Sequence, residues 1–123
     1  MNKISIVMEQ IKLIIAKEFS TAPGPRYNVE GDWSGEKFRK GVLLPKLLAA
    51  INEGKIVYID LDGTAGYGTS FLEEAFGGLI REEHLEIATI KKHIEIKSNE
   101  EPYLIDDITS YLEDASNQVH ATA

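Results

Sequence analysis

Two aspartates stand two residues apart where an apolar segment ends. Asp60 follows the segment 56–59, and Asp62 precedes a glycine and a threonine. Carboxylates at this spacing can divide a phosphoryl transfer between a nucleophile and an acid/base, with Mg²⁺ between them and the phosphoryl group. Alternatively, Asp60 ends a strand and Asp62 starts a turn, because aspartate side chains stabilise turns. The pair therefore has an enzymatic and a structural interpretation.

The segment Val57–Thr64 resembles the first motif of haloacid-dehalogenase-type phosphatases, in which a strand leads to two aspartates and then Gly-Thr. Asp106 and Asp107 resemble the acidic motif that completes the metal site of that family. They fall, however, within a helical pattern of apolar residues and not at a strand end. Because short motifs often match by chance, a Mg²⁺-dependent phosphatase that uses Asp60 and Asp62 is only the alternative hypothesis.

Two hydroxyl residues, Thr69 and Ser70, stand at the end of the glycine-rich loop Asp62–Thr69. The apolar spacing predicts that a helix begins there, and Ser70 with Glu73 predicts a capping box. Glycines before a helix can also bind phosphate. No lysine adjoins this helix start, however, and Glu73 and Glu74 would repel a bound anion. The glycines more simply allow a tight turn.

Composition excludes several kinds of chemistry. The chain of 123 residues has no cysteine, and its three histidines are scattered, so we expect no metal or cofactor. The net charge is −7, and eight basic against five acidic residues in 1–46 (+3) contrast with five against fifteen in 47–123 (−10). Such an acidic surface disfavours nucleic acid. No apolar run approaches a membrane span, so we expect a cytoplasmic protein with no membrane partner.

The apolar spacing predicts an α/β fold with a mixed sheet and helices packed on it, as one domain over residues 1–117 with a frayed tail at 118–123. The first half is predicted to contain one bulged or two short strands within Asn2–Phe19, an exposed strand Arg26–Glu30 and a helix Gly35–Leu43. Ser34 caps this helix, and Pro45 restarts it until Gly54. The second half is predicted to contain a strand Lys55–Leu61, a helix from Ser70, a short helix Glu86–Lys92, a strand Ile94–Lys97 and a helix Glu101–Asn117. The continuous apolar run of Lys55–Leu61 predicts a central strand that is buried on both faces.

Three aromatic residues and a glycine pair lie in unusual surroundings. Trp33 and Tyr67 stand near polar or glycine-rich segments, so each either contacts a partner or packs under its own loop. Phe38 is expected in the core. The pair Gly77-Gly78 interrupts a helix at a cost of roughly 1 kcal/mol for each glycine. We therefore expect another part of the domain, most simply a neighbouring helix, to approach that backbone closely.

Several segments together resemble a STAS-like family of unknown function, a set of small, mainly bacterial and phage-borne domains. They are Ser34–Arg39, Ile59–Gly63, Gly66–Gly78 and Arg81, and the resemblance extends over about Ile11–Ala115. This family is similar to STAS domains, which include the anti-sigma-factor antagonists. The resemblance implies a single STAS-like domain that acts as a regulatory module and not as an enzyme. The implied partner is a protein, a histidine-kinase-like ATPase, and a homo-oligomer is left open.

Carried over by position, the resemblance implies that the ATPase phosphorylates Thr69 or Ser70, where the helix begins. The partner-binding residues that we expect are Gly66, Tyr67, Gly68, Phe71 and Glu74 near this position in the sequence, together with Trp33. The chain departs from the STAS pattern at Gly68, because STAS switches commonly place an aspartate just before the hydroxyl residue. Phosphate added at this surface would carry about −1.5 to −2 charges beside Glu73 and Glu74 and would change the docking of a partner.

Overall fold

β2 (Ile56–Asp60) is the centre of the sheet, as its apolar sequence predicts. The computed structural model describes residues 8–121, and its strands form one sheet in the order β1-β2-β3. β1 (Gln10–Ile14) and β3 (Ile94–Lys97) both run parallel to β2. The α/β class is confirmed, but the described strands are all parallel, whereas a mixed sheet was expected.

Helices provide the long connections that parallel strands need. Their bounds are α1 (Ile15–Glu18), α2 (Gly35–Phe38), α3 (Leu44–Glu53), α4 (Thr69–Leu72), α5 (Gly78–Arg81), α6 (Ile87–His93) and α7 (Leu104–Ala121). A π-helical segment, Arg39–Leu43, joins α2 to α3, and another, Glu73–Gly77, joins α4 to α5. We call α2 to α3 the first helical run and α4 to α5 the second helical run, each with its π segment.

The two faces of the sheet differ in burial. Val57 and Ile59 point to one face and are fully buried in the hydrophobic core that the helical runs and α7 complete. Ile56 and Tyr58 point to the other face and stay partly exposed. The prediction that this strand is buried on both faces is therefore wrong. Its apolar run arises because two apolar residues lie on the partly exposed face.

The first helical run begins and ends as the sequence predicts. The Ser34 hydroxyl accepts a hydrogen bond from the Lys37 N–H at 2.9 Å and so caps α2. Pro45 lies in the first turn of α3, where its missing N–H removes no helical bond. Gly54 ends α3 with φ 68°, a left-handed conformation that favours glycine.

The predicted exposed strand at Arg26–Glu30 is wrong. Asn28–Glu30 instead form a short 3₁₀ turn, and the Tyr27 N–H donates to the Glu30 carboxylate at 2.9 Å. Local bonds of this kind satisfy the backbone without a neighbouring strand. The segment therefore turns back towards the first helical run.

The start of the chain and its last two helices also depart from expectation. Within the predicted strands of Asn2–Phe19, the structure has β1 and then α1, and residues 1–7 lie outside the described part. α6 begins and ends one residue later than predicted. α7 starts at Leu104 and continues through Ala121, so most of the expected frayed tail is helical.

Candidate protein-binding site

A cluster of three aromatic rings lies beneath the predicted site. Phe19, Phe38 and Phe71 pack with ring centroids 5.2–6.0 Å apart. Phe38 and Phe71 are fully buried, which confirms Phe38 as a core residue. Trp33 packs edge-on to Phe19 at 5.4 Å, and Tyr67 lies 5.8 Å from Phe71. The cluster thus connects the two aromatic residues that the sequence marks as candidate contacts.

Tyr67 fixes the glycine-rich loop to the end of β2. Its hydroxyl donates a hydrogen bond to the Leu61 carbonyl at 2.7 Å, and its ring is half-buried. Burial raises the pKa of Tyr67 to about 12. The phenol therefore remains protonated and keeps this bond at neutral pH. Part of the ring stays accessible beside the start of α4.

Thr69 and Ser70 are both exposed in the first turn of α4. Gly68 is the N-cap residue, and no side chain caps this helix. The predicted capping box of Ser70 and Glu73 is therefore wrong, because the N-cap lies two residues before Ser70 and Glu73 bonds to arginines instead. Neither hydroxyl makes a hydrogen bond with any other residue between 8 and 121. Both are accessible to solvent.

Trp33 stands at the other side of the aromatic cluster. Its φ of 59° is left-handed, a conformation that bulky residues rarely adopt. The indole is 43% exposed, and the Lys37 ammonium lies 4.9 Å from its ring centroid. The Trp33 carbonyl accepts a hydrogen bond from Gly24, which holds the strained residue in place. Strain of this kind persists only where surrounding contacts impose it, and it often marks functional sites.

Two residues of the predicted contact set are not on the surface. Phe71 is fully buried in the aromatic cluster, and Glu74 is only 3% exposed. Neither can contact a docked protein without a rearrangement of the core. The described surface therefore consists of Gly66–Ser70 and Trp33, and Phe71 and Glu74 support it from below.

Glu74 belongs to a buried ion cluster that the sequence did not reveal. One of its carboxylate oxygens lies 2.5 Å from the Arg39 guanidinium, and the other lies 3.3 Å from both Arg26 and Arg81. Arg39, itself 1% exposed, also bonds to Glu83 at 3.0 Å. With Glu73, the ion cluster comprises three arginines and three glutamates: Arg26, Arg39, Arg81, Glu73, Glu74 and Glu83. It joins the loop before α2 to both helical runs.

Gly77 and Gly78 make room for this ion cluster. A Cβ at Gly78 would overlap the Arg39 guanidinium, and one at Gly77 would overlap the Glu73 carboxylate and the Arg81 guanidinium. The expectation of a close approach from a neighbouring helix is confirmed, since Arg39 comes from the first helical run. Arg39 could have been found from the sequence, because it falls on the same helical face as Gly35, Phe38 and Leu43.

Opposite charges hold Glu73 ionised. Burial alone would raise the pKa of its carboxyl, but hydrogen bonds from Arg81 and Arg26 outweigh burial, and the pKa lies below its ordinary value. The same contacts raise the pKa of Arg26. Glu73 lies one turn after Ser70 and bonds to Arg26 at 2.5 Å. The start of α4 is thereby connected to the loop that carries Trp33.

Asp60 and Asp62 are engaged in fixing loops. An Asp60 carboxylate oxygen accepts a hydrogen bond from the Asp62 N–H at 2.9 Å. The Asp62 carboxylate accepts from the N–H groups of Asn99 and Glu100 at 3.2 and 3.0 Å. Among residues 8–121, no three His, Asp or Glu side chains are grouped so that they could hold a metal ion. The phosphatase alternative is therefore not supported. The hydrogen bonds support the structural interpretation, in which Asp60 ends a strand and Asp62 starts a turn.

The described helices include none that is long and apolar enough to cross a membrane. In the comparison with known proteins, a family described as a STAS-like domain of unknown function matches residues 34–104. No curated protein and no solved structure matches the chain. The matched segment runs from the Ser34 cap to the start of α7 and includes β2, the glycine-rich loop, the second helical run and β3. It covers more than half of the 123 residues, and the chain therefore belongs to this STAS-like family of unknown function.

Proposed function

We propose that the chain is a non-catalytic regulatory module that binds a protein partner through Gly66–Ser70 and Trp33. The partner we propose is a histidine-kinase-like ATPase, which phosphorylates Thr69 or Ser70 and thereby ends or weakens the contact. Membership of a STAS-like family supports a regulatory, partner-binding role, because STAS domains include modules that switch partners in this way. The specific role rests on the surface at the start of α4.

The observation that carries the proposal is the exposure of both hydroxyls. Thr69 and Ser70 are exposed in the first helical turn, and their hydroxyls make no hydrogen bond with another described residue. Serines and threonines at helix starts commonly cap the helix, so two that do not are available for another role. A kinase could modify either one without breaking a bond that the fold needs.

The charges below the surface explain how phosphate would act. A phosphoryl group on Ser70 adds about −1.5 to −2 charges one helical turn before Glu73 and Glu74. Glu73 already accepts from Arg26 and Arg81. The added charge therefore either repels Glu73 or competes with it for Arg26, and both outcomes change the surface that Tyr67 and Trp33 offer.

The test combines phosphorylation and binding. Purified chain is incubated with ATP and with any histidine-kinase-like ATPase that a neighbouring gene encodes, and intact mass spectrometry counts the phosphoryl groups. We expect one phosphoryl group on the wild type. One of the two variants, Thr69→Val or Ser70→Ala, should carry none, and that variant identifies the acceptor. Ser110→Ala is the matched control, because Ser110 is also exposed on a helix.

Binding has a built-in reporter, since Trp33 is the only tryptophan of the chain. Its emission should shift to shorter wavelength when the ATPase covers the indole, and the phosphorylated chain should bind more weakly. Absence of both phosphate transfer and binding would contradict the proposed function. Binding with no change in Trp33 emission would show that the partner uses another surface.

A further inference from the structure

β3 is an edge strand with backbone groups that no strand in residues 8–121 pairs on its outer side. The Lys97 carbonyl accepts a hydrogen bond from the Leu61 N–H at 2.9 Å, on the side of β2. Alternate residues of a strand point their N–H and C=O groups to opposite sides. The N–H and C=O of Ile96 therefore point outward, where another strand could bond to them.

An apolar groove lies beside this edge. It has a volume of about 330 Å³ between β3 and α7. Its apolar lining consists of Ile94, Ile96, Ile105, Ile108 and Leu112. Ile105 is 38% exposed, so the groove opens to solvent. Side chains of a strand added to the edge would enter this groove on the same face as Ile94 and Ile96, because alternate side chains of a strand share a face.

The opposite face of β3 carries one charge of each sign. Glu95 and Lys97 point away from the groove, and both are accessible. Lys97 is held only loosely, at 3.5 Å from Asp60 and 3.9 Å from Asp62. Glu95 accepts one exposed hydrogen bond from Gln10 at 3.3 Å. Both side chains can therefore turn to a partner at little cost.

We propose that a second copy of this chain binds the β3 edge in antiparallel orientation, about a twofold axis at Ile96. In this register Ile96 lies opposite Ile96 of the second copy, and the two residues exchange the outward N–H and C=O bonds. Glu95 then lies opposite Lys97 of the second copy, and the symmetry repeats that ion pair. Both Ile96 side chains enter the apolar grooves, so the dimer joins two three-stranded sheets into one.

Self-complementary charge is what selects a second copy as the occupant. Two like charges on a short edge strand would oppose self-pairing, and such charges commonly protect edges. Here the strand reads Ile-Glu-Ile-Lys, and the twofold axis matches each charge with its opposite. Twofold pairing of one surface with itself is also the commonest form of homo-oligomer. The proposal does not depend on phosphorylation at Thr69 or Ser70.

Sedimentation equilibrium of the full chain tests the dimer. We expect the average mass to rise with concentration from 13.7 kDa towards twice that value, without larger species. Glu95→Lys and Lys97→Glu should each raise the dissociation constant by about 10-fold or more, because each turns two attractive cross-strand pairs into repulsive ones. A wild type that stays monomeric up to millimolar concentration would overturn the proposal.

Mixing the two charge variants tests the register. In an equimolar mixture, the Glu95→Lys chain presents two lysines to the two glutamates of the Lys97→Glu chain. The mixture should therefore form a heterodimer about as tightly as the wild type dimerises, although each variant alone does not. Recovery in the mixture also demonstrates that both variants are folded. A mixture as weak as its components would refute this register and the proposed edge pairing with it.

The groove has its own matched pair of variants. Ile105→Lys should weaken the dimer, because it places a charge where the added Ile96 packs. Leu48→Lys is the control, since Leu48 is a comparably exposed apolar side chain, at 47%, in α3. Equal dimerisation of the two variants and the wild type would contradict a contact at the groove.

Discussion

The second helical run carries two pairs of polar side chains only one turn apart, and the two pairs differ in their burial and in their bonding partners. Thr69 and Ser70 are exposed, and their hydroxyls make no hydrogen bond with other described residues. Glu73 and Glu74 are held by arginines from the loop before α2, from the first helical run and from α5. The hydroxyls of the first pair take no part in holding the fold, whereas the carboxylates of the second pair connect three parts of it.

The difference follows from solvation. A hydroxyl at the surface bonds to water, so its substitution changes little in the folded state. A carboxylate as buried as Glu74 must be paired, because an unpaired charge inside a protein is strongly unfavourable. Each end of the Arg39–Glu74 contact lies in a π-helical segment. The Arg39–Glu74 contact therefore joins the two π segments beneath the surface that we propose as the binding site.

The strongest test of this contrast is the removal of Arg39. Arg39→Ala leaves Glu74 and Glu83 without their buried partner, and the free energy of unfolding should fall by about 3–5 kcal/mol. Urea denaturation followed by circular dichroism measures this loss. Lys40→Ala is the matched control, because the neighbouring Lys40 makes only an exposed ion pair with Glu36 at 3.0 Å, worth about 0.5 kcal/mol or less.

A double substitution distinguishes loss of charge balance from loss of packing. In Arg39→Met/Glu74→Met, apolar side chains replace both charges of the most buried contact of the ion cluster, so much of the stability lost in Arg39→Ala should return. A double variant as unstable as Arg39→Ala would show that the bonds to Glu83 and to the Glu74 carbonyl matter more than the charge pair.

The next test uses pH. The folded protein lowers the pKa of Glu73, so this carboxylate contributes stability above its ordinary value of 4.5 and loses that contribution as the pH falls through the lowered pKa. Unfolding midpoints of the wild type should therefore drop as the pH falls below 4.5. Glu73→Gln should be less stable at pH 7 and should lose less on acidification. Parallel pH curves for the two proteins would contradict a structural role for the Glu73 charge.

The sequence predicts the elements whose causes are local. β2 and β3 follow from short apolar or β-branched segments, and the first helical run follows from the Ser34 cap and the Gly54 stop. Each of these signals acts within a few residues, so a pattern of residue types contains it. The same is true of the glycine-rich loop, whose turn the sequence placed correctly between β2 and the second helical run.

The ion cluster could not be predicted in the same way, because its partners are far apart in the chain. Glu73 and Glu74 read as the acidic first turn of a solvated helix until Arg26 and Arg39 are brought to them by the fold. The prediction of an exposed strand at Arg26–Glu30 was wrong for a related reason. Its alternation was weak, and the bonds of the 3₁₀ turn depend on the first helical run, where Glu36 accepts from the Asn28 N–H.

The smallest expected effect compares two serines. Ser34→Ala removes a buried cap that accepts from Lys37 and donates to Asn28, so it should cost about 0.5–2 kcal/mol of unfolding free energy. Ser70→Ala removes a hydroxyl that makes no hydrogen bond with another described residue, and it should change stability by no more than about 0.5 kcal/mol. Chemical denaturation of both variants under the same conditions measures the difference. If Ser70→Ala were as destabilising as Ser34→Ala, Ser70 would be a cap after all, and its availability for phosphorylation would lose its structural support.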